Sequence, residues 1–235
     1  MAISVGAQNI QSFKKISLEF LEKHPISEAD YSFLTYNSGV KTMSTFQTKF
    51  FSNSQVKDVI ESITSRSGSS SRLDLALEEA KKLFARGSGS RPQAKKVVVI
   101  YTDKEPTGDA RGAAAERVGK EMEDGGIQIV VVLLNMTSVP ETYEDVTPNR
   151  ESVIPTHSEE NPKKVVDKID NVLKAGTIKQ FGLILRFLYS KMTRLRVVVF
   201  FIYLLFFCII NRKLARYHAK ANTSQCSDAM NLHYW

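Results

Sequence analysis

The chain has 235 residues, a net charge of +7 and a pI near 9.3, a balance that taken whole points to nucleic acid or an acidic membrane surface. Its distribution excludes nucleic acid as a partner of the folded part. From Thr177 onward nine Lys or Arg face a single acid, Asp228, whereas residues 1–176 carry 23 basic and 24 acidic side chains.

The front segment, about 175 residues, is long enough to bury a core of its own. Ile10, Phe13, Ile16, Phe20 and Leu21 recur at helical spacing until Pro25. Tyr31–Tyr36 and Val40–Phe46 read as strands joined by the turn Asn37-Ser38-Gly39, a hairpin. Val56, Val59, Ile60 and Ile63 mark a short helix. After a Ser/Gly-rich loop, Leu73, Ala76, Leu77, Ala80, Leu83 and Phe84 mark a clear amphipathic one. Val97-Val98-Val99-Ile100-Tyr101 has no polar alternation, the pattern of a strand buried on both faces. Ala114–Met122 is helical, Gly125-Gly126 stops it, and Ile127–Leu134 is a second buried strand. A long polar connection follows, with a weak strand at Ser152–Ile154 and a closing helix through Val165, Val166, Ile169, Val172 and Leu173. Strands alternating with helices call for a mainly parallel sheet covered on both faces, an α/β three-layer, Rossmann-like sandwich.

Thr102-Asp103 ends the first buried strand, so a carboxylate stands at the carboxyl end of the sheet, where open α/β sheets put their ligand sites. An ordinary polar loop has the same composition. No nucleophile-and-base arrangement is present, and catalysis is not expected. Cys208 and Cys226 both lie in the tail, and His24, His157, His218 and His233 show no metal-ligand spacing. Gly87-Ser88-Gly89-Ser90 precedes a strand instead of linking strand to helix, which argues against a phosphate cradle.

Five pieces in order resemble the von Willebrand factor type A (vWA) domain: Ser4-Val5-Gly6-Ala7-Gln8-Asn9, the hairpin Tyr31–Phe46, Ser71-Arg72-Leu73-Asp74-Leu75-Ala76-Leu77, Val97–Asp103 and Gly126–Leu134. The resemblance implies a non-enzymatic adhesion or protein-binding module with a metal-ion-dependent adhesion site. In that site one loop gives Asp-x-Ser-x-Ser, a second a Thr and a third an Asp around Mg²⁺, and an open position takes a partner's carboxylate. By the same resemblance Ser4 is the last Ser of the first motif, Ser71 stands at the Thr position and Asp103 is the third-loop Asp. Helix capping is the competing reading of Ser4 and Ser71. The recognition face falls on Ser67–Arg72, Asp103–Arg111 and Asn135–Pro140, for a protein or extracellular-matrix ligand.

The sequence also departs from the family pattern. Ala2 stands at the middle Ser position, the first Asp would precede Met1, and Lys104 replaces the usual Gly. The expectation is therefore a sheet whose first strand is missing, a severely weakened metal site, and a chain truncated at its N-terminus within the motif.

In the tail, 176–194 is a basic juxtamembrane segment, 195–211 contains the apolar run Val197–Ile210 and reads as a transmembrane helix, and 212–235 is a short basic tail. The expected setting is a single-pass membrane protein with its domain, 1–175, outside the cell. The sequons at Asn135 and Asn222 permit glycosylation there. Two alternatives stay open: an intracellular vWA-like scaffold for protein assembly, and a truncated gene model whose acid-free stretch Thr177–Ser227 is translated intron or frameshifted sequence.

Overall fold

A computed structural model describes residues 1–175 except 66–69, 86, 107–108, 137, 148 and 158. The basic segment 176–194, the proposed span 195–211 and the tail 212–235 lie outside the described residues. Among those described, no helix is long and apolar enough to cross a membrane.

The strands are β1 (Ala2–Ser4), β2 (Phe33–Tyr36), β3 (Val40–Ser44), β4 (Lys96–Thr102), β5 (Ile127–Leu134) and β6 (Val153–Thr156). They form one sheet in the order β3-β2-β1-β4-β5-β6. Every pair is parallel except the β2–β3 hairpin. The helices are α1 (Ile10–Lys23), α2 (Asn53–Ser62), α3 (Leu73–Leu83), α4 (Asp109–Asp124), α5 (Glu141–Val146) and α6 (162–175).

Side chains alternate across a strand, so the buried runs split between two cores. Val99, Tyr101, Val130 and Val132 pack against α1, α2 and α6, while Val98, Ile100, Ile129 and Val131 pack against α3, α4 and α5. That division makes the sandwich: helices on both faces require strands apolar at every position. Phe13 of α1 meets Tyr101 edge-on with ring centroids 5.1 Å apart. At the end of α4, Gly126 takes φ +77°, a left-handed conformation that glycine adopts without cost, and the chain turns into β5.

The expectation of a missing first strand is corrected. Ala2–Ser4 pairs with β2 on one side (Ala2↔Leu34, Ile3↔Thr35) and with β4 on the other (Ala2↔Ile100, Ile3↔Tyr101, Ser4↔Thr102). Three residues suffice because both neighbours offer open ladders and because Ala2 and Ile3 each bury into a different core. The sequence reading also passed over α5, whose Tyr143 and Val146 are fully buried inside what looked like a polar connection.

Candidate functional site

The carboxyl ends of β1, β2 and β4 converge. β4 delivers Asp103 just past its last residue, and Ser4, ending β1, stands in register with Thr102 one strand spacing away, roughly 4.8 Å. The segment before α3 is tied to the end of β2 by the Arg72 amide donating to the Asn37 carbonyl at 2.8 Å. Arg72 itself grips Asp74 through two bonds of 2.9 and 2.7 Å, which holds that carboxyl below its usual range and anchors the first turn of α3.

This anchoring sets Ser71 inside the cluster. Its hydroxyl interacts with the phenols of Tyr36 and Tyr143. Tyr143 in turn donates to the Lys104 carbonyl at 2.5 Å and reaches the Thr102 hydroxyl at 3.3 Å, so α5 clamps the residues on either side of Asp103. Burial pushes the ionisation of both tyrosines far up, and Tyr36 and Tyr143 therefore stay protonated. The helix-capping reading of the serines does not hold: α1 is capped by Asn9 and α3 by Arg72.

Asp103 is bound on one side only. The Gly6 amide donates to Oδ2 at 2.8 Å and Asn9 Nδ2 donates to the same oxygen at 2.9 Å. Its other oxygen, Oδ1, is buried without a hydrogen-bond partner among the described residues, and so is Ser4 Oγ. A Cβ added at Gly6 would lie 3.0 Å from Asp103 Oδ2, so the close approach of this loop uses the absence of a side chain. Ser4, Ser71 and Asp103 thus gather at one end of the sheet, each from a different loop.

Asn9, Tyr36, Thr102 and Tyr143 complete the cluster and were not among the predicted site residues. Only Thr102 had a local signal, as the partner of Asp103 in Thr-Asp. Of the loops predicted to form the recognition face, 66–69, 107–108 and 137 are outside the described residues. Asn135, the first sequon's acceptor, is exposed and ends β5 in a left-handed conformation, φ +55°.

A hard divalent cation such as Mg²⁺ asks for oxygen ligands and keeps several waters. The donors fit in kind: two orphaned oxygens, one of them a carboxylate's, with the Ser71 hydroxyl close by. They fit poorly in charge, because hydroxyls bring none and Asp103 supplies a single negative charge. Among the described residues no group of three or more His, Cys, Asp or Glu could hold a metal.

Comparisons with known proteins bear on the same architecture. The proximal thread matrix protein 1 of the mussel byssus superposes with a TM-score of 0.60 at 15% identity, over 73% of this chain and 46% of that one. The chain thus spans about half the length of the mussel chains it matches. A further structure of that mussel protein is described as having a zinc-occupied MIDAS motif. BatB from Bacteroides thetaiotaomicron gives a TM-score of 0.52 at 13% identity over 74% of this chain and 98% of that chain. The SpRpn10 VWA domain gives 0.50 at 12% identity over 71% and 93%. At these identities the likeness is one of fold. No curated protein sequence matches the chain. The sequence model described as von Willebrand factor type A domain matches residues 2–160, the stretch that builds all six strands and brings Ser4, Ser71 and Asp103 together, and the chain belongs to that family.

Proposed function

We propose that the chain is a non-enzymatic protein-binding module whose recognition face is the carboxyl end of the sheet around Asp103, with a degraded metal-ion-dependent adhesion site. Domains of this family commonly mediate protein interaction. The observation that carries the reading is the half-satisfied carboxylate: Asp103 Oδ2 is fixed by Gly6 and Asn9 while Oδ1 is buried and unpartnered. A buried charged oxygen costs free energy unless something completes it. A cation bridging Asp103 and Ser4 would do so, and a partner's carboxylate would then complete the ion. With one negative charge in the set, Mg²⁺ binding is weak.

Adhesion, anchoring through 195–211 and an extracellular position for the domain belong to the same proposal. The apolar run between basic flanks supports anchoring. The structural likeness to a byssal thread matrix protein is compatible with a matrix ligand.

Two experiments test the reading. Calorimetric titration of Mn²⁺ into the full chain should give at most a weak isotherm, abolished by Asp103→Asn, and a strong one in a chain extended to restore an Asp-x-Ser-x-Ser motif ending at Ser4. Tight binding by the chain as it stands would show the ligand assignment to be wrong. Protease protection of the domain in microsomes supports adhesion, whereas cleavage from the cytosolic side would replace it with a scaffold role.

A further inference from the structure

β4 and β1 are unequal. β4 runs seven residues, Lys96–Thr102, and pairs with β5 along all of them, but its pairing with β1 begins only at Ile100. Among the described residues, Lys96 to Val99 have a strand neighbour on the β5 side alone. Beside them, in line with β1 and opposite Tyr31 and Ser32, lies a slot of about 580 Å³. Phe20 and Leu173 line it from one helix layer, Leu83 and Phe84 from the other. The slot therefore lies in the plane of the sheet, with a half-used ladder along one wall and apolar cover above and below.

These walls dictate the chemistry of an occupant. It must be extended, to meet the open ladder of β4, and apolar on both faces, because helices cover both. Four residues of β4 are open, so about four residues of strand, roughly 13 Å, fill the length. The occupant must also stop where Met1 begins, since β1 holds the line from there on. At that point stands the Met1 amino group, buried and donating to the Ser32 carbonyl at 2.5 Å. An amine at the end of the slot selects a carboxylate over a second amine, which fixes the direction as parallel to β4.

We propose that this slot receives the C-terminal, extended, apolar segment of a partner polypeptide, which adds as a strand between β2 and β4 and ends with its carboxylate on the Met1 amine. Main-chain bonds to β4 supply affinity, and the carboxylate supplies register and polarity. The site is separate from the Asp103 cluster, which occupies the opposite, carboxyl end of the strands.

The test is amide hydrogen exchange on the full chain, read over Val97 to Val99, with synthetic peptides of four alternating valines and isoleucines behind a two-lysine solubilising head. The free-acid peptide is expected to slow exchange there by about tenfold or more at saturation. Its C-terminal amide should bind several-fold more weakly, and this preference should vanish when Met1 is acetylated. An N-methylated peptide, unable to donate to the ladder, should give no slowing. The proposal is overturned by an absence of slowing with the free acid, or by equal slowing with the N-methylated peptide, which would mean apolar adherence only. Slowing obtained only when the same run is fused covalently ahead of Met1 would overturn it too, since the slot would then accept a strand in cis and no partner.

Discussion

Asn9 and Asp103 are 94 residues apart in sequence and 2.9 Å apart in the fold, the amide of one donating to a carboxylate oxygen of the other. With the Gly6 amide on the same oxygen, the loop after β1 is fastened to the loop after β4, and the site exists only while that bond does.

Asn9→Ala should therefore lower the unfolding free energy by about 1.5–3 kcal/mol, the usual worth of a hydrogen bond to a charged group. Asn9 is 2% exposed, so water does not readily replace it. Urea denaturation gives the number, and an unchanged midpoint would mean that the two loops are not joined in solution. Asn9→Asp should be destabilising at neutral pH and recover on acidification, because it sets a second carboxylate against Asp103.

Gly119 on α4 packs against α5 so tightly that a Cβ there would lie 2.6 Å from the Val146 carbonyl oxygen. Gly119→Ala should cost about 1–3 kcal/mol of overpacking strain, outweighing the up to ~1 kcal/mol gained in helix propensity. The readout is a lower melting temperature. A higher one would show that the helices separate freely.

Burial lowers the pKa of the Met1 amine from 8.0 to about 5. Below pH 8 the unfolded chain takes up a proton that the folded chain refuses, so stability should fall as the pH drops from 8 to 5 and level off below. The full effect approaches about 4 kcal/mol, at 1.36 kcal/mol per pKa unit. Acetylating Met1 should abolish this slope in urea titrations across that range. A slope that survives acetylation would locate the proton elsewhere.

At the other end of α1, Asp170 of α6 accepts from Lys23 at 2.5 Å and lies 2.8 Å from His24 Nε2. Burial, the largest single influence, pushes its pKa up, but the bonds and charges of Lys23 and His24 together outweigh it and hold the carboxyl below its usual value. A carboxyl depressed in the fold contributes stability above its unfolded pKa and loses it as pH falls through the folded value. Asp170→Asn should accordingly be less stable than the parent at pH 7, with the difference closing toward pH 2. A difference that stays constant with pH would show that packing, not charge, ties α1 to α6.

Much of the fold could be read from the sequence because its signals are local. The continuous apolar runs of β4 and β5 state that helices cover both faces, and the 3.6-residue spacing from Leu73 to Leu83 states where α3 turns its buried side. β1 leaves no such mark: three residues hold no pattern, and Ala2–Ser4 becomes a strand only because β2 and β4 flank it. α5 was missed for a related reason, since two apolar residues in six do not announce a helix. The site divides the same way. Asp103 is legible at the end of its strand, but Asn9 and Tyr143 reach it from 94 and about 40 residues away, and tertiary contacts of that span leave no spacing to read.

The placement of β1 also bears on the order in which the chain acquires structure during synthesis. Ala2 is among the first residues made, yet its neighbours are Leu34 and Ile100. At ribosomal rates of about 5–20 residues per second, the central strand waits on the order of ten seconds between the arrival of its first flank and its second. Over that interval α1 and the hairpin can assemble locally, but the sheet cannot close. A nascent chain arrested before Ile100 should thus be captured by holdase chaperones far more readily than one released after β5, which would make the middle of the sheet the last part of the domain to become native.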